Sequence, residues 1–249
     1  MSPTPKNLLN RPEIPPLLIL HRDAAIAAIS KPSGLVVHRS EFASDRINCL
    51  SLLRRQLGLR VYPVHRLDRG ASGLLLFALN SGAAGTLCRL FSERRVEKSY
   101  LALVRGHLPD EGLIDYPLAD EPEKEPTQAQ TQFRCLARLE LPFAVGRYGT
   151  ARYSLSQIEP LTGRMHQIRK HFAHIRHPLI GDTNYGDGKH NQFFRLQFDF
   201  SRLALHAFSL SFLHPENQNA ICLKAPLPPE LSSLFQKLSI GESAPLIDG

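Results

Sequence analysis

The sequence predicts an α+β fold, a mixed and largely antiparallel sheet flanked by helices, and three observations carry that reading. Strand-like apolar runs recur along the chain with few helical patterns between them. One run, Leu74 to Leu79, is apolar at successive positions, as expected of a strand covered on both faces. A chain of 249 residues with 43% hydrophobic content and no low-complexity linker is long enough to bury one sizeable core.

Taken in order, Leu17 to Ile29 reads as two strands around the turn His21-Arg22-Asp23, and Lys31-Pro32-Ser33-Gly34 then breaks the pattern before Leu35 to Val37 resume it. Cys49 to Leu59, with Leu50, Leu53 and Leu57 in phase, predicts an amphipathic helix ended by Gly58. After the Leu74 strand, Ser81 is the expected cap of a helix whose inner face carries Ala84, Leu87, Leu90 and Phe91. Val96 to Arg105 predicts a strand with Tyr100, Ala102 and Val104 on one face. Glu111 to Gln130 is polar, acidic and contains proline, which predicts an exposed, mobile excursion. Further strands are expected around Phe133 to Leu141, Arg152 to Glu159, Leu203 to Leu213 and Ala220 to Leu223. Ile168, Phe172 and Ile175 have the spacing of a short helix that stops before Pro178, and Leu231, Leu234 and Leu238 that of a last helix, Pro229 to Leu238. The expected layout is a proline-rich flexible leader (1–16), one catalytic domain (17–240) and a short tail (241–249).

The formal charge of +7 favours a polyanionic partner, because each phosphate met by Lys or Arg releases condensed counterions. Cys49, Cys88, Cys135 and Cys222 are widely spaced and form no CxxC pair, so they read as reduced thiols rather than a disulfide framework or a zinc site. The first residues lack the apolar stretch of a signal peptide and no run reaches transmembrane length, which predicts a cytoplasmic protein away from membranes.

Chemistry concentrates in HRLDRGASGLLLFA, His65 to Ala78. It places one carboxylate, Asp68, between Arg66 and Arg69, just ahead of the buried run. The cations favour the ionised form, which suits attack better than proton donation, and the following strand anchors the loop to a rigid core. On residue pattern alone an ion-paired surface turn would look the same.

The stretch resembles the central motif of the RluA-type pseudouridine synthases, and it does not stand alone. KPSGLVVH (Lys31 to His38), KSYLALVRG (Lys98 to Gly106), LTGRMHQIRKHFAHIRHPLIGD (Leu161 to Asp182) and RLALHAFSLSFLHP (Arg202 to Pro215) resemble the other blocks of that family, in the family's order. The resemblance implies a bent central sheet with an RNA cleft across its middle. It implies an isomerase that breaks the bond between uracil nitrogen and ribose, turns the base over and rejoins it through a ring carbon, with no cofactor and no metal. Within the family, the segment Gly146 to Asp182 resembles a branch acting on tRNA, which implies one tRNA uridine, uridine-65, as target. Ribosomal RNA is the alternative substrate, and a noncatalytic RNA-binding chaperone or a metallohydrolase are readings of other classes.

Residue by residue, the resemblance makes Asp68 the nucleophile, packs the Tyr100 ring on the target uracil with its hydroxyl as a candidate proton acceptor, and pairs Arg169 with Asp68. Arg66 enters the space left by the flipped uridine, since a stacked base hides its glycosidic bond. Leu179 and Ile180 close the uracil pocket. His65 shapes the loop at the substrate side, and Lys98 is an RNA or structural cation, as is Lys31. His166, His171, His174 and His177, among Arg164, Arg169, Lys170 and Arg176, are expected to contact RNA phosphates rather than a metal. Structured RNA is the only partner implied, the protein being expected to act as a monomer with no obligate protein partner.

Overall fold

The structure is a computed structural model that describes residues 15–38, 47–119 and 124–240. The tail, nearly all of the leader and positions 120–123 of the expected excursion lie outside the described residues.

One ten-stranded sheet organises the chain. Its strands are β1 (Leu18–Arg22), β2 (Ile26–Lys31), β3 (Tyr62–Pro63), β4 (Ser72–Ala78), β5 (Glu97–Arg105), β6 (Glu111–Asp115), β7 (Gln130–Leu141), β8 (Ala151–Pro160), β9 (Leu205–Leu213) and β10 (Ala220–Lys224). They run in the order β1-β2-β4-β9-β5-β8-β7-β6, with β3 on β4 and β10 on β9, and every pair is antiparallel except β4 with β9. The expected mixed, largely antiparallel sheet is therefore what forms. Among the described residues five helices cover it: α1 (Cys49–Leu57), α2 (Ser81–Ser92), α3 (Gln167–His174), α4 (Gly188–Phe198) and α5 (Pro229–Lys237).

Strand alternation decides which helix lies where. On one face, Ile29, Leu75 and Phe77 pack under α1 through Leu52 and Leu53, while Ala102, Val104 and Ile158 pack under α3 through Ile168 and Phe172. On the other, Ala28, Leu74 and Leu76 meet α2, and Leu103, Tyr153 and Leu155 meet α4 and α5. Tyr100 touches both clusters of the first face, so it stands in the seam between α1 and α3.

The same seam is where the sheet divides. β5 occupies one edge of β9; the other edge is shared, with β4 pairing only at His206 and Ala207 and β10 taking Ser209 to Leu213. The brief parallel contact needs Gly73, whose φ of +112° suits glycine and where a Cβ would sit 2.2 Å from the Ala207 carbonyl oxygen. Gly73→Ala is accordingly expected to lower unfolding stability by at least about 2 kcal/mol, read as a drop in denaturation midpoint at unchanged slope.

Two local expectations are corrected and one helix was missed. The α2 cap is Asn80, whose side chain accepts the Ala83 N–H, and Ser81 is the first helical residue; two adjacent cap-forming residues left the choice open. The stretch from Glu111 is no excursion at its start, because Glu111–Asp115 pairs with Arg134–Gln130 as an edge strand and Leu118 bridges Thr127. Ile114 is its single buried residue and the adjacent apolar Leu113 is exposed, so no alternation of apolar and polar residues announces it. Helix α4 was not anticipated: Phe194 is its only fully buried residue, so no apolar stripe announces it, and the Asp187 cap is what starts it. No helix among the described residues is long and apolar enough to cross a membrane.

Candidate active site

The loop that carries Asp68 is clamped from three sides. Ahead of it, His65 stacks on Phe91 of α2 with ring centroids 4.7 Å apart, and its Nε2 accepts the Leu76 N–H at 2.9 Å. Burial pushes this imidazole down to about 3, so it is a neutral structural group, in keeping with the loop-shaping role. Leu67 is buried beside α1. Behind Asp68, the turn Lys31 to Gly34 grips two carbonyls: Lys31 Nζ and the Gly34 N–H both donate to Arg69 O, at 3.2 and 2.8 Å, and Ser33 Oγ donates to Gly70 O at 2.7 Å. Lys31 is fully buried and also donates to the Pro32 and Leu35 carbonyls. It is thus the structural cation of the two alternatives, with burial pushing it down to about 8.

Arg169 projects from the buried side of α3 and brings three carboxylate oxygens together. Its Nη1 lies 3.3 Å from Asp68 Oδ2, the contact that the resemblance implied. Its fork, however, is spent elsewhere: Nε donates to Asp182 Oδ2 at 2.7 Å and Nη2 to Asp182 Oδ1 at 2.8 Å. Asp182 is the central residue that sequence reasoning missed as a site member. Its side chain is 1% exposed. Burial alone would raise its pKa, but the Arg169 donors and the N–H groups of Tyr185 and Asn184 outweigh that and hold it low. The same ion pair raises Arg169 against the desolvation that opposes it. Gly181 sets the approach: its φ is +76° and a Cβ there would overlap the Arg202 carbonyl. The GD pair closing LTGRMHQIRKHFAHIRHPLIGD was the available signal, since a buried arginine demands a carboxylate with two free oxygens.

Three more side chains complete the wall. His166 Nε2 stands 4.0 Å from Asp68 Oδ2, and its Nδ1 is 3.1 Å from the Tyr185 hydroxyl. The Tyr185 ring in turn lies under the guanidinium, 5.1 Å from Arg169 Cζ, a cation–π contact. Tyr100 sits at a bulge where β5 slips against β9, the kind of irregularity that re-aims a side chain. Burial, and then the charge of Asp68, push its phenol above the ordinary range.

The remaining expected residues fall into two groups. Arg66 is exposed beside Asp68 and makes no hydrogen bond or ion pair with the described residues, while Lys98 reaches the Thr162 carbonyl at 3.3 Å and Arg164 that of Gln128 at 3.4 Å. Leu179 packs in the cluster that contains Tyr100 and Ile168, whereas Ile180 packs with Leu103, Tyr153 and Phe194 under the opposite face. The expectation that all four histidines meet phosphates is corrected at His171, which is fully buried and bonded to Thr131 Oγ1 and the Tyr116 carbonyl. His177 is bonded to the Arg105 carbonyl, and the exposed His174 stacks on Tyr116 with ring centroids 3.6 Å apart. A helix shows its histidines to different sides, and only His166 at its start faces Asp68.

An anionic carboxylate fixed beside a cation, an aromatic ring in the sheet seam and an exposed arginine at the rim form a constellation suited to attack on a nucleotide. Comparison with known proteins gives the family. Residues 25–174 match the family model described as RNA pseudouridylate synthase. The chain is 42% identical over 237 residues to tRNA pseudouridine synthase C of Vibrio parahaemolyticus, covering 91% of this chain and 96% of the relative. It is 46% identical over 220 residues to tRNA pseudouridine synthase C of Pasteurella multocida, covering 84% and 90%. Among solved structures, Human RNA Pseudouridylate Synthase Domain Containing 1 superposes with a TM-score of 0.69 at 26% identity, covering 95% of this chain and 97% of that one. With the matched region spanning both the Asp68 loop and α3, the chain belongs to the RNA pseudouridylate synthase family, whose reaction isomerises uridine to pseudouridine.

Proposed function

We propose that this protein isomerises one uridine of tRNA, uridine-65, by way of Asp68 as nucleophile and a flipped-out target base. The observation that carries the chemical half is the placement of Asp68: held by Arg169 at 3.3 Å, its backbone carbonyl neighbours clasped by Lys31, Ser33 and Gly34, and Tyr100 within reach of its charge. The tRNA half is supported by relatives bearing that name at 42% and 46% identity. Arg66 would fill the gap left by the flipped base, where a guanidinium can stack and hydrogen-bond, and its exposure supports that role. The catalytic domain spans 17–240 and acts in the cytoplasm as a monomer.

Site-resolved mapping of pseudouridine in total RNA from cells with and without the gene tests the substrate. Loss at a single tRNA uridine supports the reading, and loss confined to ribosomal RNA would replace it with the sister activity. Tyr100 is tested separately. A phenol held neutral can take a proton only after passing its own on, whereas stacking needs just the ring. Tyr100→Phe is expected to keep tRNA affinity within about 3-fold and to lower single-turnover product formation by about 100-fold or more, the range of one general acid–base group. An unimpaired Phe variant would leave Tyr100 a stacking role alone.

A further inference from the structure

We propose that Tyr185 is a positioning residue that fixes the His166 imidazole with its proton on Nε2, so that a neutral N–H donor stands next to Arg169 over one oxygen of Asp68. The inference rests on the reading of Asp68 as nucleophile and adds to it how the two carboxylate oxygens are told apart.

Geometry supplies the argument. His166 is the N-cap residue of α3, yet its side chain makes no capping hydrogen bond, and its φ of +56° is the left-handed region a residue with a Cβ seldom occupies. That conformation turns the ring away from the helix it precedes and toward the Asp68 loop. Its partner is pinned as firmly, because Asp182 Oδ1 accepts the N–H groups of Asn184 and Tyr185 at 2.9 and 3.1 Å while Arg169 lies over the Tyr185 ring. The His166 and Tyr185 rings meet edge-on with centroids 5.7 Å apart.

The tautomer follows from what faces each nitrogen. The Tyr185 hydroxyl can donate to Nδ1 or accept from it. Were Nδ1 the protonated atom, Nε2 would aim a lone pair at the Asp68 carboxylate 4.0 Å away. With the proton on Nε2, the N–H dipole faces that charge and the phenol donates to Nδ1. The Asp68 charge thus selects the proton on Nε2, and the Tyr185 phenol holds that state by donating to Nδ1.

Every charged or titratable group around the ring bears on its charge. Asp68 of the loop and Asp182 of the segment after Gly181 favour protonation, while Arg169 and Lys170 of α3 oppose it, and burial, the largest influence, leaves the imidazole below its ordinary value. A neutral donor is the useful form. A second full cation would stabilise the ground-state carboxylate and blunt it as a nucleophile, whereas an N–H dipole orients it at lower cost. Both Arg169 Nη1 and His166 Nε2 address Oδ2. Oδ1 is then the oxygen that neither donor addresses.

Ring-nitrogen NMR of the full chain carrying 15N-histidine reads the tautomer directly, with His166 assigned by the signal lost in His166→Gln. The wild type is expected to show the Nε2–H pattern. Tyr185→Phe, which keeps the ring under Arg169, is expected to shift that signal toward a mixture and to slow single turnover about 10-fold at nearly unchanged tRNA affinity. His166→Gln, whose amide can supply the same donor, is expected to retain more activity than His166→Leu. An Nδ1–H pattern in the wild type, or a Phe variant with wild-type spectrum and rate, would overturn the proposal. Asp68→Asn separates it from the underlying reading: if the Asp68→Asn enzyme still turns over, the nucleophile is defeated and the tautomer result stands by itself.

Discussion

Asp68→Asn is expected to abolish pseudouridine formation while leaving the protein folded. The substitution is nearly isosteric and removes a charge from a side chain that is 21% exposed, so no buried ion is stranded. Arg169 keeps its fork on Asp182, and the clasp from Lys31, Ser33 and Gly34 acts on backbone carbonyls that the substitution does not touch. The midpoint of thermal unfolding should therefore move by no more than about 3 °C, the effect of roughly 1 kcal/mol in a chain of this size. Rate is a different matter, because an amide is a far weaker nucleophile than a carboxylate, and loss of a covalent nucleophile costs on the order of 10^4-fold or more. Single-turnover conversion of tRNA, quantified by mass spectrometry of the nucleosides, gives the number. Residual activity above about one tenth of wild type would remove Asp68 from the covalent role, since no effect of that size survives loss of the attacking group.

How far the sequence foresaw this site depends on the range of the interactions. Asp68 stood out in a local pattern, charge before an apolar run, but its role and those of Tyr100 and Arg169 came from the blocks that resemble the family, since a strand tyrosine and a helix arginine look ordinary by themselves. Most of the strands were legible from local pattern, as was Gly58 ending α1 in a left-handed conformation. What stayed hidden was set by contacts between distant segments. Nothing near Lys31 says that its ammonium will be fully buried among carbonyls, one of them 38 residues away. Asp182 has only the GD pair to mark it, and the partner that gives that pair its meaning is known once the fold lays it along Arg169. Helix α4 and strand β6 escaped because each buries little, so the apolar period that announces an element is missing.

The largest stability effect is expected at the Arg169–Asp182 pair, and its logic differs from that of Asp68. Arg169→Ala leaves Asp182, whose side chain is 1% exposed, with two backbone N–H donors and no counter-charge. Stranding one member of a buried pair costs about 3–5 kcal/mol, which for a chain of this size lowers the unfolding midpoint by about 10 °C. Turnover falls as well, because Asp68 Oδ2 loses its nearest donor. Arg169→Lys cannot repair both defects: a single ammonium satisfies one carboxylate, and the span from Asp182 to Asp68 needs the planar fork. Asp182→Asn should cost stability more than rate, since Arg169 can still approach Asp68. Acid supplies an independent check. The Asp182 carboxyl is held below the ordinary aspartate value of 3.8 in the folded protein, so the stability it contributes is complete above that value and is lost as pH falls through the lower, folded one. The difference in unfolding free energy between wild type and Asp182→Asn should hence be flat from neutral pH down to about pH 5 and shrink only below about pH 4. A difference that instead vanished near pH 6 would implicate a histidine, and His166, beside Asp68, is the one the fold places close enough to answer for it.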